Sequence, residues 1–122
     1  PIDLSGDGSD NFSMVATGNN HTCVIIGDWK VHCWGQANLG AIGTGSTEHL
    51  GDDEAINSTN TLVNIPGKEF TQISGGINHT CALEKSKGEV ICWGQNTFGQ
   101  LGIANIDNVG DDESPGEFVK LK

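Results

Sequence analysis

Phe70-Thr71-Gln72-Ile73-Ser74-Gly75-Gly76-Ile77-Asn78-His79-Thr80-Cys81, followed by Cys92-Trp93-Gly94-Gln95, decides the fold, because the chain has already spelled it once. The earlier copy is Phe12-Ser13-Met14-Val15-Ala16-Thr17-Gly18-Asn19-Asn20-His21-Thr22-Cys23 and then Cys33-Trp34-Gly35-Gln36. Farther out, Gly51-Asp52-Asp53-Glu54 returns as Gly110-Asp111-Asp112-Glu113, at the same offset as the Cys-Trp-Gly-Gln block. Two copies of one supersecondary unit therefore fill nearly all of the chain. Self-similarity at this period belongs to propellers and solenoids, whose units each leave a face or an edge for a neighbour to cover. Function is then expected in what the array builds or binds, and no single buried catalytic pocket is expected.

Strand signals recur in the same order in both copies. They lie at residues 2–4, 12–16, 21–26 and 30–34, and again at 62–65, 70–74, 79–84 and 89–93. These segments are rich in β-branched residues and bounded by Gly, Asn and Asp, and no stretch outside the glycine-rich connections sustains a helical period. The reading is all-β, with two antiparallel blades of four short strands: residues 1–61 form the first and 62–117 the second. After each Cys-Trp-Gly comes a long glycine-bearing connection, in which Leu39, Ile42 and Leu50, matched by Phe98, Leu101 and Val109, are expected to pin the loop to its own blade. Phe118-Val119-Lys120-Leu121 resembles Leu62-Val63-Asn64-Ile65 and Pro1-Ile2-Asp3-Leu4. Residues 118–122 thus open a third unit or supply an exchanged strand. Such an edge templates another strand, so Ile2, Leu4, Phe118, Val119 and Leu121 are candidate interaction residues.

Each repeat places one Cys before and one after a short turn, near Gly27-Asp28 in the first copy and Gly88 in the second. Residues directly opposite in an antiparallel pair approach to roughly 4.5 Å between Cα atoms, close enough for a disulfide. Cys23–Cys33 and Cys81–Cys92 are therefore read as hairpin staples, which implies an oxidising compartment. The alternative is zinc, but structural zinc favours Cys-x2–4-Cys or Cys/His spacings that this chain lacks.

Eighteen glycines and an aromatic content of 6% limit the core that 122 residues can bury unaided. A formal charge of -10 argues against nucleic acid, whose phosphates need Lys and Arg to displace counterions. No apolar run approaches the ~20 residues needed to span a bilayer, and no basic, apolar leader is present. The chain begins at Pro1 without an initiator Met, so a processed product or an excised segment is expected.

The ordered pattern Gly-x-Asn-His-Thr-Cys, hairpin, Cys-Trp-Gly-Gln-Asn and Gly-Gln-Leu-Gly, fullest from Gly76 to Gly102, resembles the repeat of the regulator of chromosome condensation family. The first copy is weaker, with Ala37-Asn38-Leu39-Gly40-Ala41-Ile42-Gly43 in the place of Asn96-Thr97-Phe98-Gly99-Gln100-Leu101-Gly102. The cysteine pairs and the trailing Gly-Asp-Asp-Glu resemble disulfide-bearing, secreted-type versions of this repeat. The resemblance implies a seven-bladed β-propeller of four-stranded blades, of which two units cannot close the ring. The best-known activity in that family is guanine-nucleotide exchange on a small GTPase, which the acidic balance and paired cysteines do not support.

Several residues invite a chemical reading. His21 and His79 recur ahead of the first Cys and are expected to bond neighbouring backbone and fix unit packing. His32 and His49 are unmatched and are assigned to the surface. Trp34 and Trp93 are expected as core or interface anchors, with an aromatic ligand shelf as the alternative. Trp29, at a hairpin turn, is the candidate for an exposed contact. Asp52, Asp53 and Glu54, with Asp111, Asp112 and Glu113, offer carboxylates on loops that suit calcium, though acidic turns are common on soluble surfaces. Asn11, Asn20, Asn57 and Asn78 head glycosylation sequons, of which Asn11 and Asn57 are the loop-borne ones. No catalytic constellation is present in the sequence. The chain is thus read as a non-enzymatic, extracellular structural or interaction module without a required cofactor, joining further copies of itself into a ring or filament. The alternatives are a fragment of a longer secreted propeller that binds a protein or glycan and, more distantly, an exchange factor.

Overall fold

A computed structural model describes residues 1–115; the expected third-unit strand, with Phe118, Val119 and Leu121, lies outside the described residues. Among the described residues, six strands form two three-stranded antiparallel sheets. In the first unit β1 spans Phe12–Thr17, β2 His21–Ile26 and β3 Val31–Gly35; in the second, β4 spans Phe70–Gly75, β5 His79–Glu84 and β6 Val90–Gly94. Each sheet runs in sequence order, as a meander. The register repeats as well. Cys23 faces Cys33 and Cys81 faces Cys92, and an irregularity interrupts each first strand at the same place, between Phe12 and Met14 and between Phe70 and Gln72. A short 3-10 turn spans Asn38–Gly40.

Among the described residues each unit has three regular strands where four were expected. The fourth place on the first sheet is taken by a single bridge between His32 and Leu62, flanked by hydrogen bonds from Cys33 N–H to the Thr61 carbonyl (2.8 Å) and from Val63 N–H to the Val31 carbonyl (3.0 Å). Pro66, which lacks an N–H, follows soon after and cannot extend the ladder. Residues 62–65 therefore lie on the outer side of the first unit's sheet, although they open the second copy in sequence. Residues 2–4 form no strand either. The Leu4 N–H is taken by the Asp10 carboxylate, and its carbonyl accepts from Ser58 N–H.

The glycine of each Cys-Trp-Gly is required. Gly35 and Gly94 adopt φ 104° and 107°, and a Cβ there would lie 2.5 and 2.4 Å from the carbonyl oxygens of Asn20 and Asn78. The chain can thus turn sharply out of β3 and β6 into the long loops. One apolar core runs through both units, joining Cys23, Ile25, Val31 and Cys33 of the first to Phe70, Ile73, Ile91 and Trp93 of the second. Ile42, Leu101 and Val109 anchor their loops as expected, at 0%, 0% and 3% exposure, whereas Phe98 is 86% exposed and pins nothing.

Candidate interaction surface

The features that repeat in sequence meet at the junction between the units. His21, at the start of β2, puts Nε2 2.9 Å from Thr80 Oγ1 on β5, and the Thr80 hydroxyl donates to the Ala41 carbonyl at 2.9 Å. Burial holds the His21 imidazole below its ordinary pKa, with His79 adding to the effect. Gly43, with φ 65°, packs where a Cβ would lie 2.7 Å from Trp93 Nε1. Trp93 is fully buried, and its Nε1 finds no partner among the described residues. Gly45 N–H donates to the Gly110 carbonyl (3.1 Å) and Phe70 N–H to the Trp29 carbonyl (2.8 Å). A glycine loop from one unit thus closes over the tryptophan of the next, and a His-Thr-carbonyl relay locks its flank.

The cysteines are bonded as Cys23–Cys33 and Cys81–Cys92, with Cα separations of 4.1 and 4.0 Å across directly opposed residues. Their surroundings differ. Cys23 and Cys33 are 1% and 0% exposed beneath the second unit, whereas Cys81 is half-buried at the margin of the core. The neighbours follow suit: Ile25 and Val31 are buried, but the matching Leu83 and Val90 are half-buried. On the opposite face the asymmetry reverses, with Trp34 half-buried where Trp93 is sealed.

Other candidates fall differently from expectation. His32 is not on the surface: it is 2% exposed, and Nδ1 lies 3.0 Å from Thr61 Oγ1, because the chain folds residues 61–63 back over β3. Burial depresses its pKa against the opposing pull of Asp28 and Asp10. His49 is exposed, and its Nδ1 accepts from Ala37 N–H at 3.0 Å. Trp29 is half-buried and bridges the units, with Lys85 Nζ 4.3 Å from its ring centroid, so it is no free contact. Leu4 is 1% exposed and unsuited to an open edge, while Ile2 is 46% exposed. The ion pair of half-buried Lys68 with buried Glu89, 2.6 Å apart, gave no signal in the sequence, since the two residues lie in different loops.

The carboxylates of Asp52, Asp53 and Glu54, and those of Asp111, Asp112 and Glu113, each gather within 4.8 Å, close enough to share a hard cation. Each glutamate also does a structural job, accepting from the N–H of the glycine three residues back: Glu54 from Gly51 at 2.6 Å and Glu113 from Gly110 at 2.9 Å. Burial and the adjacent Asp112 and Asp111 raise the Glu113 carboxyl above its ordinary range. Among the sequons, Asn11 and Asn57 are exposed. Asn20 is exposed too, and its amide and that of the half-buried Asn78 donate to Gln36 and Gln95 Oε1, at 2.9 and 3.5 Å.

Models of the Regulator of chromosome condensation (RCC1) repeat match residues 70–100 and 87–118. The Arabidopsis thaliana ultraviolet-B receptor UVR8 is 34% identical over 106 residues, which are 86% of this chain and 22% of the receptor. The human probable E3 ubiquitin-protein ligase HERC4 is 35% identical over 90 residues, 74% of this chain and 8% of the ligase. Human WBSCR16 superposes with a TM-score of 0.64 at 21% identity, covering 95% of this chain and 27% of that one. Yeast RCC1 (Prp20), solved bound to Kap60, gives 0.65 at 15% identity over 99% of this chain and 26% of that one. The chain thus spans about a quarter or less of each of these proteins, and the fold it shares with the solved ones is that of an incomplete propeller. No helix among the described residues is long and apolar enough to cross a membrane.

Proposed function

Since the chain carries regulator of chromosome condensation repeats, we propose that it is a non-enzymatic structural and interaction module, two blades of a propeller that join further units through their open faces, in an extracellular setting. The observation that carries this reading is the unequal burial of one face in two copies. Cys23, Ile25 and Val31 are sealed by the second unit, while Cys81, Leu83 and Val90 wait half-buried. A repeat unit left without its neighbour exposes apolar surface that the next unit normally covers. Both bonded cysteine pairs and the exposed sequons at Asn11 and Asn57 support an oxidising, secretory route. Protein surfaces are the natural partners on this reading; yeast RCC1 was itself solved bound to Kap60.

A second reading is favoured by length: the chain matches 22% of the ultraviolet-B receptor and 27% of human WBSCR16, close to the share that two blades take of a seven-bladed ring. On that reading the further units belong to the same polypeptide. One experiment addresses the shared premise. In a tandem chain with a second copy of residues 1–122 fused after the first, the junction is covered and Tm is expected to rise above that of the single chain. An unchanged Tm would show that the half-buried face is not a docking face.

A further inference from the structure

We propose that Asn57 carries an N-linked oligosaccharide, attached where the fold leaves an acceptor amide and its partner hydroxyl open together; the proposal rests on the extracellular setting read above. Four Asn-x-Ser/Thr sequences are present, at Asn11, Asn20, Asn57 and Asn78, and the fold treats them unequally. Transfer to such a sequence needs an amide nitrogen that can be reached and a hydroxyl two residues on that is free to be recognised. At Asn78 the amide donates to Gln95, and the Thr80 hydroxyl is buried and donates to the Ala41 carbonyl. At Asn20 the amide donates to Gln36, and Thr22 is half-buried within β2. Asn11 is exposed, but Ser13 lies in β1 and its hydroxyl donates to the Ile25 carbonyl at 3.2 Å.

Asn57 differs at each of these points. Asn57, Ser58 and Thr59 are all exposed. Asn57 Oδ1 accepts from the N–H groups of Thr59 (2.8 Å) and Asn60 (3.0 Å), and its main-chain carbonyl accepts from the Thr61 hydroxyl at 2.6 Å. The turn is thus held through the amide oxygen and the backbone. Neither Nδ2 of Asn57 nor the hydroxyl of Thr59 has a partner among the described residues. A substituent on Nδ2 therefore leaves every bond of the turn in place.

This openness does not depend on how many units precede or follow. The two units join through the faces of their sheets and through β1 beside β4. Asn57 lies away from that junction, in the turn that feeds residues 61–63 onto the outer side of β3. Residues 1–4, which match the outer segment 62–65 in sequence, already pack here: the Leu4 carbonyl accepts from Ser58 N–H, and Asn57 stays exposed beside them. A glycan on this rim covers neither the junction nor the faces that stack.

The step joins Asn57 Nδ2 to the anomeric carbon of an oligosaccharide carried on a polyprenyl diphosphate. The N–C bond forms, the bond from that carbon to the phosphate oxygen breaks with its electron pair going to the phosphate, and one Nδ2 proton is released. The transferase and its lipid-linked donor belong to the membrane of the secretory route.

The test is expression of all 122 residues behind a cleavable secretion signal in cultured mammalian cells, with cells and medium read together. Peptide:N-glycanase in heavy-oxygen water, followed by peptide mapping, marks each asparagine that bore a glycan. Asn57 is expected to be marked in most molecules, and Asn20 and Asn78 in few. Thr59→Ala keeps the N–H that closes the turn and removes the hydroxyl, so it is expected to lose the mark at Asn57 together with the mass of one glycan, while Thr59→Ser keeps both. A bare Asn57 in the wild type overturns the proposal, as does a mark at Asn20 and Asn78 equal to that at Asn57, or one at Asn57 that survives in Thr59→Ala. A bare Asn57 on a chain with both disulfides formed leaves the module reading to the tandem chain; a bare Asn57 on a chain whose cysteines stay reduced in these cells counts against the extracellular setting as well.

Discussion

His21 Nε2 lies 2.9 Å from Thr80 Oγ1 across the junction of the two units, and because the Thr80 hydroxyl donates to the Ala41 carbonyl, the imidazole must be the donor at Nε2. The relay ties three segments together: β2, β5 and the loop after β3. Both side chains are buried, at 4% and 0% exposure, so a broken link would leave polar atoms without water. Thr80→Val keeps the shape and removes the hydroxyl. It is expected to cost about 1–3 kcal/mol in chemical denaturation, the range for orphaning a buried donor and acceptor. Wild-type stability in this variant would mean that the relay does not hold the units together.

Acid is expected to weaken the fold in two stages. His21 and His32 have depressed pKa values, so the unfolded chain binds more protons than the folded one below the ordinary histidine value of 6.5. Their stabilising effect is complete above that pH and declines as pH falls through it. Glu84 acts lower down. The Ser86 hydroxyl and the Lys87 N–H hold its carboxyl at about 2 against an ordinary 4.5, so its contribution is present above 4.5 and is lost as pH drops toward 2. Denaturation midpoints at pH 7.5 and 5.5 should differ in wild type, and the difference should shrink in His21→Gln.

Two glycines of similar backbone conformation should respond differently to alanine. Gly67, at φ 72°, has open space at its Cβ position, so Gly67→Ala bears only the backbone penalty of about 1–2 kcal/mol. Gly43, at φ 65°, would place its Cβ 2.7 Å from Trp93 Nε1 and 3.0 Å from Val63 Cγ1. Gly43→Ala adds overpacking of about 1–3 kcal/mol to the same penalty. Thermal melts of the two variants give the comparison, and equal losses would argue against a tight loop over Trp93.

Reductant should discriminate between the disulfides. Cys81 is half-buried, while Cys23 and Cys33 are 1% and 0% exposed under the second unit. Mild reduction in native buffer, followed by alkylation and peptide mapping, is expected to label Cys81 and Cys92 first. Simultaneous labelling of all four would mean that the second unit does not shield the first.

The sequence revealed the units, the cysteine partners and the three inner strands because each is written in local pattern. Cys23 and Cys33 flank one turn, and short β-branched runs bounded by Gly, Asn and Asp mark the strands. The outer edge was illegible for a physical reason: Leu62 belongs to the first sheet in space but to the second copy in sequence, and only the folded chain brings Thr61 onto His32. The same displacement made His32 read as a surface residue. Trp29 looked free at its turn because Lys85, which covers it, comes from the other unit. Phe98 erred the other way: its match to Leu39 suggested an anchor, yet it points into solvent at 86% exposure.

The fit of Gly43 over Trp93 also bears on how such a molecule can grow over generations. A unit whose leading side suits its own trailing side can be duplicated in the gene without a new contact having to be invented. Substitutions on those two sides must satisfy a neighbour and are held in step, whereas tips such as Phe98 are free to drift toward new ligands.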